Sequence, residues 1–165
     1  IRDSLCSEDL DSVRLAMLLQ MTLPGAPCIY YGDEIGMSGS MDPQCRRAFP
    51  TDPAEWDREP SAWLADLVAL RHSSRAFRDA GSELLGSDGA LIAYLRRDGD
   101  EAFAVVANAR DEAVDRDVPL PLETSAVEIV PLRGSRPGEH AADRVNGSLR
   151  ARLPARDGMV VRLVR

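Results

Sequence analysis

The side chains of this chain that could do chemistry together are concentrated between residues 33 and 56. Asp33 and Glu34 are adjacent carboxylates, the residue type that supplies a nucleophile or a general acid and base. Carboxylates that act on one bond must face each other across it, whereas neighbouring residues that leave a strand point to opposite sides. We therefore expect this pair to shape a turn and to form a salt bridge. We assign the chain no catalytic residue of its own.

Asp42, Arg46 and Trp56 lie in the same stretch and suit binding rather than bond breaking. A carboxylate accepts hydrogen bonds and a guanidinium donates them, so Asp42 and Arg46 together could clamp the hydroxyl groups of a polar ligand. The alternative is a local ion pair that only fixes the loop. Trp56 could offer an aromatic platform, or it could pack within the loop. The neighbouring Arg47 is expected to face away and to make a structural pairing.

Metal and cofactor chemistry is not indicated. All 20 basic residues are arginine, which excludes a lysine nucleophile, a Schiff base or a P-loop lysine. The three cysteines have no C-x-x-C spacing, so neither a zinc site nor a disulfide framework is predicted. Cys28 and Cys45 are expected to be a buried small hydrophobe and a loop-packing residue. His72 and His140 stand outside any arrangement with a nucleophile.

The beginning of the chain predicts an α/β unit. Residues 10–21 are apolar on more than one side, which predicts a mostly buried helix with Ser7 as a candidate N-cap. Residues 28–31, CIYY, predict a short strand covered on both faces, as in a parallel sheet. Tyr30 and Tyr31 could stack on a ligand ring, but we expect them to pack between the strand and helix layers.

A long loop is predicted from residue 32 to residue 60, because glycines and prolines break every periodic pattern there. Loops of this length in compact domains are usually functional or disordered, and the aromatic and arginine residues favour a functional loop. The loop is followed by an amphipathic helix over residues 60–72, in which Trp63 belongs to the buried side.

The pattern of apolar and polar residues changes after about residue 80. The apolar runs LIAYLR at 91–96 and AFAVVA at 102–107 flank an Asp-Gly turn and predict a β-hairpin. Further short strands are predicted at 113–118, 125–130, 148–153 and 159–164. Strands of this spacing predict an antiparallel β-sandwich over residues 81–165, after an incomplete α/β unit over residues 1–80.

Composition excludes several classes of partner. The chain has 165 residues, of which 44% are hydrophobic and 28% charged, and its formal net charge is −7. An acidic domain repels phosphate backbones, so nucleic acid is not an expected partner. No apolar run approaches the roughly 20 residues of a membrane span, so no membrane partner is expected either. The cysteine usage and the lack of a signal-like segment predict a cytoplasmic location.

Three segments resemble the α-amylase superfamily, glycoside hydrolase family 13. Residues 23–36, LPGAPCIYYGDEIG, are similar to its eighth-strand motif, PGxPxIYYGDExG. Residues 39–50, GSMDPQCRRAFP, resemble a stretch of the neopullulanase, cyclomaltodextrinase and maltogenic amylase branch. Residues 67–72, LVALRH, resemble the final barrel helix. Where that branch often carries Trp, this chain has Thr51, with Trp56 five residues further on.

The resemblance implies the last strand and helices of a (β/α)8 TIM barrel, followed by a C-terminal antiparallel β-sandwich. It also implies that Asp42 and Arg46 hold the glucosyl unit at the non-reducing side of the bond to be cut. The three catalytic carboxylates of the superfamily lie on earlier strands, and its Asn-His-Asp motif does not occur in this chain. A whole barrel takes about 250 residues. The chain, which lacks an initiator Met, is therefore expected to continue an upstream barrel portion.

The function implied by the resemblance is that of the C-terminal portion of a retaining glycosidase or transglycosylase acting on maltodextrins, cyclodextrins or pullulan. Its expected partners are an α-glucan oligosaccharide and the upstream barrel portion of the same protein, without a cofactor. Two alternatives stay open: a non-catalytic scaffold of the same superfamily, and a carbohydrate-binding β-sandwich module. The module ranks last because Tyr94 and Phe103, its two aromatic residues, lie in apolar strand runs.

Overall fold

The structure of the chain is a computed structural model that describes residues 9–37, 39, 43, 46–133 and 139–165. Its helices are α1 (Leu10–Thr22), α2 (Arg58–Ser73) and α3 (Arg75–Arg78), with 3-10 turns at Asp33–Ile35 and Pro53–Glu55. Its strands are β1 (Ser82–Asp88), β2 (Leu91–Asp98), β3 (Glu101–Asn108), β4 (Val114–Pro119), β5 (Ala126–Ile129), β6 (Ala141–Val145), β7 (Ser148–Leu153) and β8 (Asp157–Val164).

The strands form two sheets, and every strand pair in the described part of the chain is antiparallel. One sheet has the order β1-β2-β3-β8-β5 and the other the order β4-β7-β6. The predicted hairpin is present as β2 and β3, in register from Leu91 opposite Asn108 to Asp98 opposite Glu101. Gly99 in its turn has φ +58°, a left-handed conformation that glycine adopts without a steric cost.

The three central strands of the five-stranded sheet, β2, β3 and β8, are largely buried on both faces. On β3, the side chains of Ala104 and Val106 belong to the core between the two sheets, whereas those of Phe103 and Val105 belong to the core beneath the helices. This division follows from the two-residue period of a strand. The result is three layers: helices, five-stranded sheet and three-stranded sheet.

Helices α1 and α2 cover the outer face of the five-stranded sheet. Leu18 on α1 and Leu67 on α2 are completely buried in the same core as Val105 and Val160 of the sheet. Trp63 lies in this core, as predicted, and its indole N–H donates to the Arg14 carbonyl of α1 at 3.1 Å.

Polar contacts also tie the helices to the sheets. Asp9 caps α1 by accepting from the Ser12 N–H at 3.2 Å, and it pairs with Arg156 Nη1 at 2.8 Å. Asp66 on α2 accepts from Arg133 Nη2 at 2.6 Å. The predicted cap residue Ser7 lies outside the described residues, and Asp9 fills the capping role because its carboxylate reaches the first turn.

The predicted strand over residues 28–31 is wrong for this chain. These residues are extended but pair with no described strand, and Tyr30 and Tyr31 are 52% and 39% exposed instead of packed between layers. Cys28 is exposed rather than buried. A strand needs neighbours that accept and donate its ladder hydrogen bonds, and the described chain places none beside this segment.

Candidate functional site

The stretch over residues 32–57 begins and ends beside the N-terminus of α2. We call residues 32–57 the candidate loop. Its last residue, Asp57, caps α2 by accepting from the Glu59 N–H at 3.1 Å. The Asp57 N–H donates to the Ile35 carbonyl at 3.2 Å. This contact joins the first turn of the candidate loop to its last residue.

The beginning of the candidate loop is a tight turn built on Gly32. Gly32 has φ +93°, and a Cβ added there would stand 2.6 Å from Met37 Sδ. The Gly32 N–H donates to Glu34 Oε2 at 2.7 Å, so Glu34 shapes this turn, as the sequence predicted for the adjacent carboxylates. Burial raises the pKa of the Asp33 carboxyl beside it.

The middle of the candidate loop carries Arg46. Its backbone N–H donates to the Pro43 carbonyl at 3.0 Å, and the residue is exposed. The carbonyl of Arg47 accepts from the Tyr31 hydroxyl at 3.1 Å, which ties this part of the loop to residues 28–31, the extended segment before it. Asp42 and Cys45 lie outside the described residues, so the predicted clamp between Asp42 and Arg46 stays a prediction.

Trp56 is half-buried and braced by its own loop. Its indole N–H donates to the Pro50 carbonyl at 2.9 Å, and the Phe49 ring packs edge-on against it with centroids 5.8 Å apart. The Arg58 guanidinium lies 5.7 Å from the centre of the indole. These contacts fix the ring in place, which serves loop packing and is also the condition for a rigid aromatic platform.

The entry to the extended segment is held by a residue that sequence reasoning placed only at a helix end. Arg71 on α2 is 9% exposed, and it donates to the carbonyls of Met21 at 2.7 Å, Leu23 at 3.2 Å and Gly25 at 2.5 Å. The sequence signal was an arginine in the last turn of an amphipathic helix, and its partners could not be read from that pattern.

The outer face of the three-stranded sheet is covered by ion pairs. Arg150 Nε donates to Asp115 Oδ1 at 2.8 Å, and Arg152 Nη2 donates to Asp143 Oδ2 at 3.1 Å. The aromatic residues of the sandwich, Tyr94 and Phe103, are 2% and 1% exposed. This face therefore offers charged groups that already satisfy one another.

Neither a metal-binding cluster nor a membrane-spanning helix is found among the residues that the structure describes. No group of three or more His, Cys, Asp or Glu side chains within that part of the chain could hold a metal ion. Among the same residues, no helix is both long enough and apolar enough to cross a bilayer.

Comparison with known proteins supplies the context for this site. A protein-family model described as the α-amylase catalytic domain matches residues 3–77. A cyclomaltodextrinase from Geobacillus thermopakistaniensis is 36% identical over 131 residues, which cover 78% of this chain and 22% of that protein. Neopullulanase 2 from Thermoactinomyces vulgaris is 38% identical over 109 residues, which cover 65% of this chain and 19% of that protein.

Solved structures give the same picture for the fold. The native debranching enzyme of Nostoc punctiforme superposes on 94% of this chain, with a TM-score of 0.81 and 30% sequence identity. That match covers 32% of the Nostoc chain. The chain thus spans about a fifth of the length of the curated relatives it matches and about a third of the solved one.

Proposed function

Because the chain belongs to the α-amylase superfamily, glycoside hydrolase family 13, we propose that it is the C-terminal portion of a retaining enzyme that acts on α-glucans. Its substrates are maltodextrins, cyclodextrins or pullulan, and the reaction is hydrolysis or glycosyl transfer. The chain contributes a substrate-binding loop, residues 32–57, and the catalytic carboxylates lie upstream of it. The sequence identity of this chain to a cyclomaltodextrinase and to a neopullulanase supports this choice of substrates.

The observation that carries the proposal is the path of the chain around α2. Arg71, near the C-terminus of α2, holds the turn at residues 21–25, whereas Asp57 at its N-terminus holds the turn at Ile35. The extended segment between these two points therefore runs antiparallel to α2. This is the relation between a strand and the following helix in a (β/α)8 barrel, and active sites of such barrels lie at the carboxyl ends of the strands. The candidate loop lies at that end.

The exposure of the extended segment supports the same arrangement. Ile29, Tyr30 and Tyr31 are large apolar side chains that are 42%, 52% and 39% exposed in succession. A barrel strand is covered on one face by the barrel interior and on the other by helices, and it has a strand on each side. We propose that the upstream barrel portion of the same polypeptide covers this segment.

We further propose a division at residue 80, with residues 1–80 completing the catalytic barrel and residues 81–165 forming the C-terminal β-sandwich. The first strand of the five-stranded sheet begins at Ser82, which supports this boundary. In this arrangement the sandwich supports the helices and does not bind the substrate.

The residues proposed to bind the α-glucan are Asp42, Arg46 and Trp56. Arg46 is exposed at the carboxyl end of the extended segment, where its guanidinium can donate to sugar hydroxyl groups. Asp42 supplies the matching acceptor. Trp56 supplies a braced aromatic ring beside them.

The carbohydrate-binding module is disfavoured as an alternative function. Sugar-binding faces use exposed aromatic platforms, whereas Tyr94 and Phe103 are buried and the outer face of the three-stranded sheet carries paired charges. The scaffold alternative differs from the proposal only in the upstream carboxylates.

The decisive experiment has two parts. The first is the intact mass and N-terminal sequence of the native protein, and the second is a turnover assay of that protein with β-cyclodextrin, maltoheptaose and pullulan. We expect a mass well above 18.0 kDa, upstream catalytic carboxylates and release of α-glucan products with retained anomeric configuration. A native mass of 18.0 kDa, or a longer protein with intact folding and no turnover of any of the three glucans, would contradict the proposal.

A further inference from the structure

Two buried arginines converge on the turn that leads into the extended segment. Arg71 on α2 is 9% exposed and Arg96 on β2 is 0% exposed. Among the residues that the structure describes, both guanidinium groups donate to main-chain carbonyls and to no carboxylate. Such an arrangement is uncommon, because a buried charge is costly unless its hydrogen bonds are satisfied.

Arg96 connects the sandwich to the helices through hydrogen bonds to main-chain carbonyls. Its Nη1 donates to the Thr22 carbonyl at 2.8 Å, at the end of α1. Its Nε and Nη2 donate to Ala76 at 3.0 Å, Phe77 at 3.1 Å and Ala80 at 2.7 Å, around α3. One side chain on a strand thus bonds the C-terminal end of α1, two carbonyls of α3 and one carbonyl just after α3.

A second contact from β2 reaches the same end of α1. The Thr22 hydroxyl donates to the Leu18 carbonyl at 2.6 Å, so the Tyr94 hydroxyl, 2.6 Å away, is the donor to Thr22 Oγ1. Burial raises the pKa of Tyr94 to about 12, so the phenol keeps this proton. Residues 94 and 96 of the same strand therefore hold both the side chain and the carbonyl of Thr22.

The C-terminal end of α1 favours these cations electrostatically. The last carbonyls of a helix carry its partial negative charge, and here they receive both guanidinium groups. Taking a charge out of water costs free energy that its hydrogen bonds must offset, so burial of two arginines is poorly explained by stability alone. What the two arginines share is the backbone turn that they bind. Together they donate hydrogen bonds to the carbonyls of residues 21, 22, 23 and 25.

We propose that Arg96 is a positioning residue for the substrate-binding loop. Through Thr22 it sets the turn that Arg71 also holds, and that turn sets where the extended segment and the candidate loop begin. The sandwich thereby fixes the place of Arg46, although the residues proposed to bind the ligand all lie outside the sandwich. This inference rests on the proposed function of the loop, but its structural half can be tested without any glucan.

The structural half is tested by hydrogen exchange in the full-length polypeptide with Arg96→Lys. Lysine keeps the charge but cannot reach four carbonyls at once. We expect the amides of Leu23, Gly32 and Asp33 to exchange about tenfold faster or more, while amides of β3 and β8 stay within about twofold of the wild type. The matched control is Arg162→Lys, since Arg162 shares the row of Arg96 on the same sheet, with Phe103 between them. Arg162 is exposed and contacts the Phe103 ring, so its variant should exchange like the wild type.

The functional half is tested by kinetics with maltoheptaose. We expect Arg96→Lys to raise KM about fivefold or more with kcat within about twofold, because the loop binds ground state and transition state alike. Tyr94→Phe, which removes one hydroxyl, should give the same pattern at smaller size and guards against misfolding of the lysine variant. The inference would be overturned if the amides of Leu23 and Gly32 exchanged at the wild-type rate in both Arg96→Lys and Tyr94→Phe. It would also be overturned if exchange accelerated evenly over α1 and the sheets. A wild-type protein without turnover would instead overturn the proposed function and leave the exchange result to decide this inference.

Discussion

Gly158 and Leu18 touch where α1 lies against the five-stranded sheet. A Cβ added to Gly158 would stand 2.4 Å from Leu18 Cδ2 and 3.1 Å from both Leu15 Cδ1 and the Val106 carbonyl. Leu18 is completely buried, so its methyl group has no space into which it can retreat. The absence of a side chain on β8 is what allows the helix to approach the sheet this closely.

Gly158→Ala is therefore expected to destabilise the protein. Overpacking of a filled core costs about 1–3 kcal/mol, which for a chain of this size lowers Tm by about 2–12 °C. The measurement is thermal unfolding followed by circular dichroism. Gly81→Ala is the matched control, because a Cβ there would meet nothing within 4 Å. Equal Tm values for the two variants would show that α1 does not pack as described.

The Asp9 cap predicts a specific pH dependence of stability. Hydrogen bonds from Ser12, together with the ion pair to Arg156, lower the pKa of Asp9 from 3.8 to about 2. The folded state holds the carboxylate more strongly than the unfolded state does, so its contribution is complete above pH 3.8 and is lost as the pH falls towards 2. After allowance for solvent screening, this contribution is about 1–2 kcal/mol.

The test compares wild type with Asp9→Asn in urea unfolding between about pH 2 and pH 5. Asparagine still caps a helix but does not ionise, so the stability difference should be largest at pH 5 and should shrink as the pH falls. Arg156→Gln should lose only part of this pH-dependent stability, because the hydrogen bonds from Ser12 to the Asp9 carboxylate remain. Parallel curves for wild type and Asp9→Asn would contradict the assignment.

Arg46→Ala in the full-length protein tests the proposed ligand clamp. Loss of a charge-assisted hydrogen bond costs about 1.5–3 kcal/mol, which corresponds to a decrease of about 10- to 150-fold in kcat/KM. Arg47→Ala is the neighbouring control and should remain near wild type, because its described contact to Tyr31 uses the backbone carbonyl. Unchanged kinetics of a folded Arg46→Ala protein would remove the clamp from the mechanism.

Trp56 can be assigned as a platform or a packing residue by comparing two substitutions. If the ring stacks on a sugar, Trp56→Phe should keep KM near wild type, and Trp56→Ala should raise it about 2- to 10-fold. Phe49→Leu removes the edge-on neighbour of Trp56 but not the platform, so its KM should stay near wild type. A KM that rises as much in Phe49→Leu as in Trp56→Ala would assign Trp56 to loop packing alone.

Local patterns in the sequence predicted the elements whose cause is local. Apolar periodicity predicted α1 and α2 to within a few residues, and the Asp-Gly turn predicted the β2–β3 hairpin. The edge strands β1 and β6 were missed because their exposed, polar sequences lack an apolar alternation. The strand predicted at residues 28–31 failed for a different reason, since apolar β-branched and aromatic residues pair only when a neighbouring strand is present.

The candidate site was predictable in its residue types but not in its supports. The spacing of carboxylates, arginines and aromatics drew attention to the loop, and Glu34 forms the turn that was expected of it. Arg96 lies at the end of an apolar strand run and its four partners are 16 to 74 residues away in sequence. Pattern rules describe neighbours within a few positions, so such long-range partners become visible only in the folded chain.

The core beneath the helices has a consequence for how the chain melts. Leu18 and Leu67 pack in the same cluster as Val105 and Val160, so the proposed boundary at residue 80 does not divide the apolar interior. Neither half can lose its order without exposing the buried surface of the other. We expect one cooperative heat-absorption peak, with equal calorimetric and van't Hoff enthalpies. Two separate peaks would show that the sandwich stays folded after the helices have unfolded.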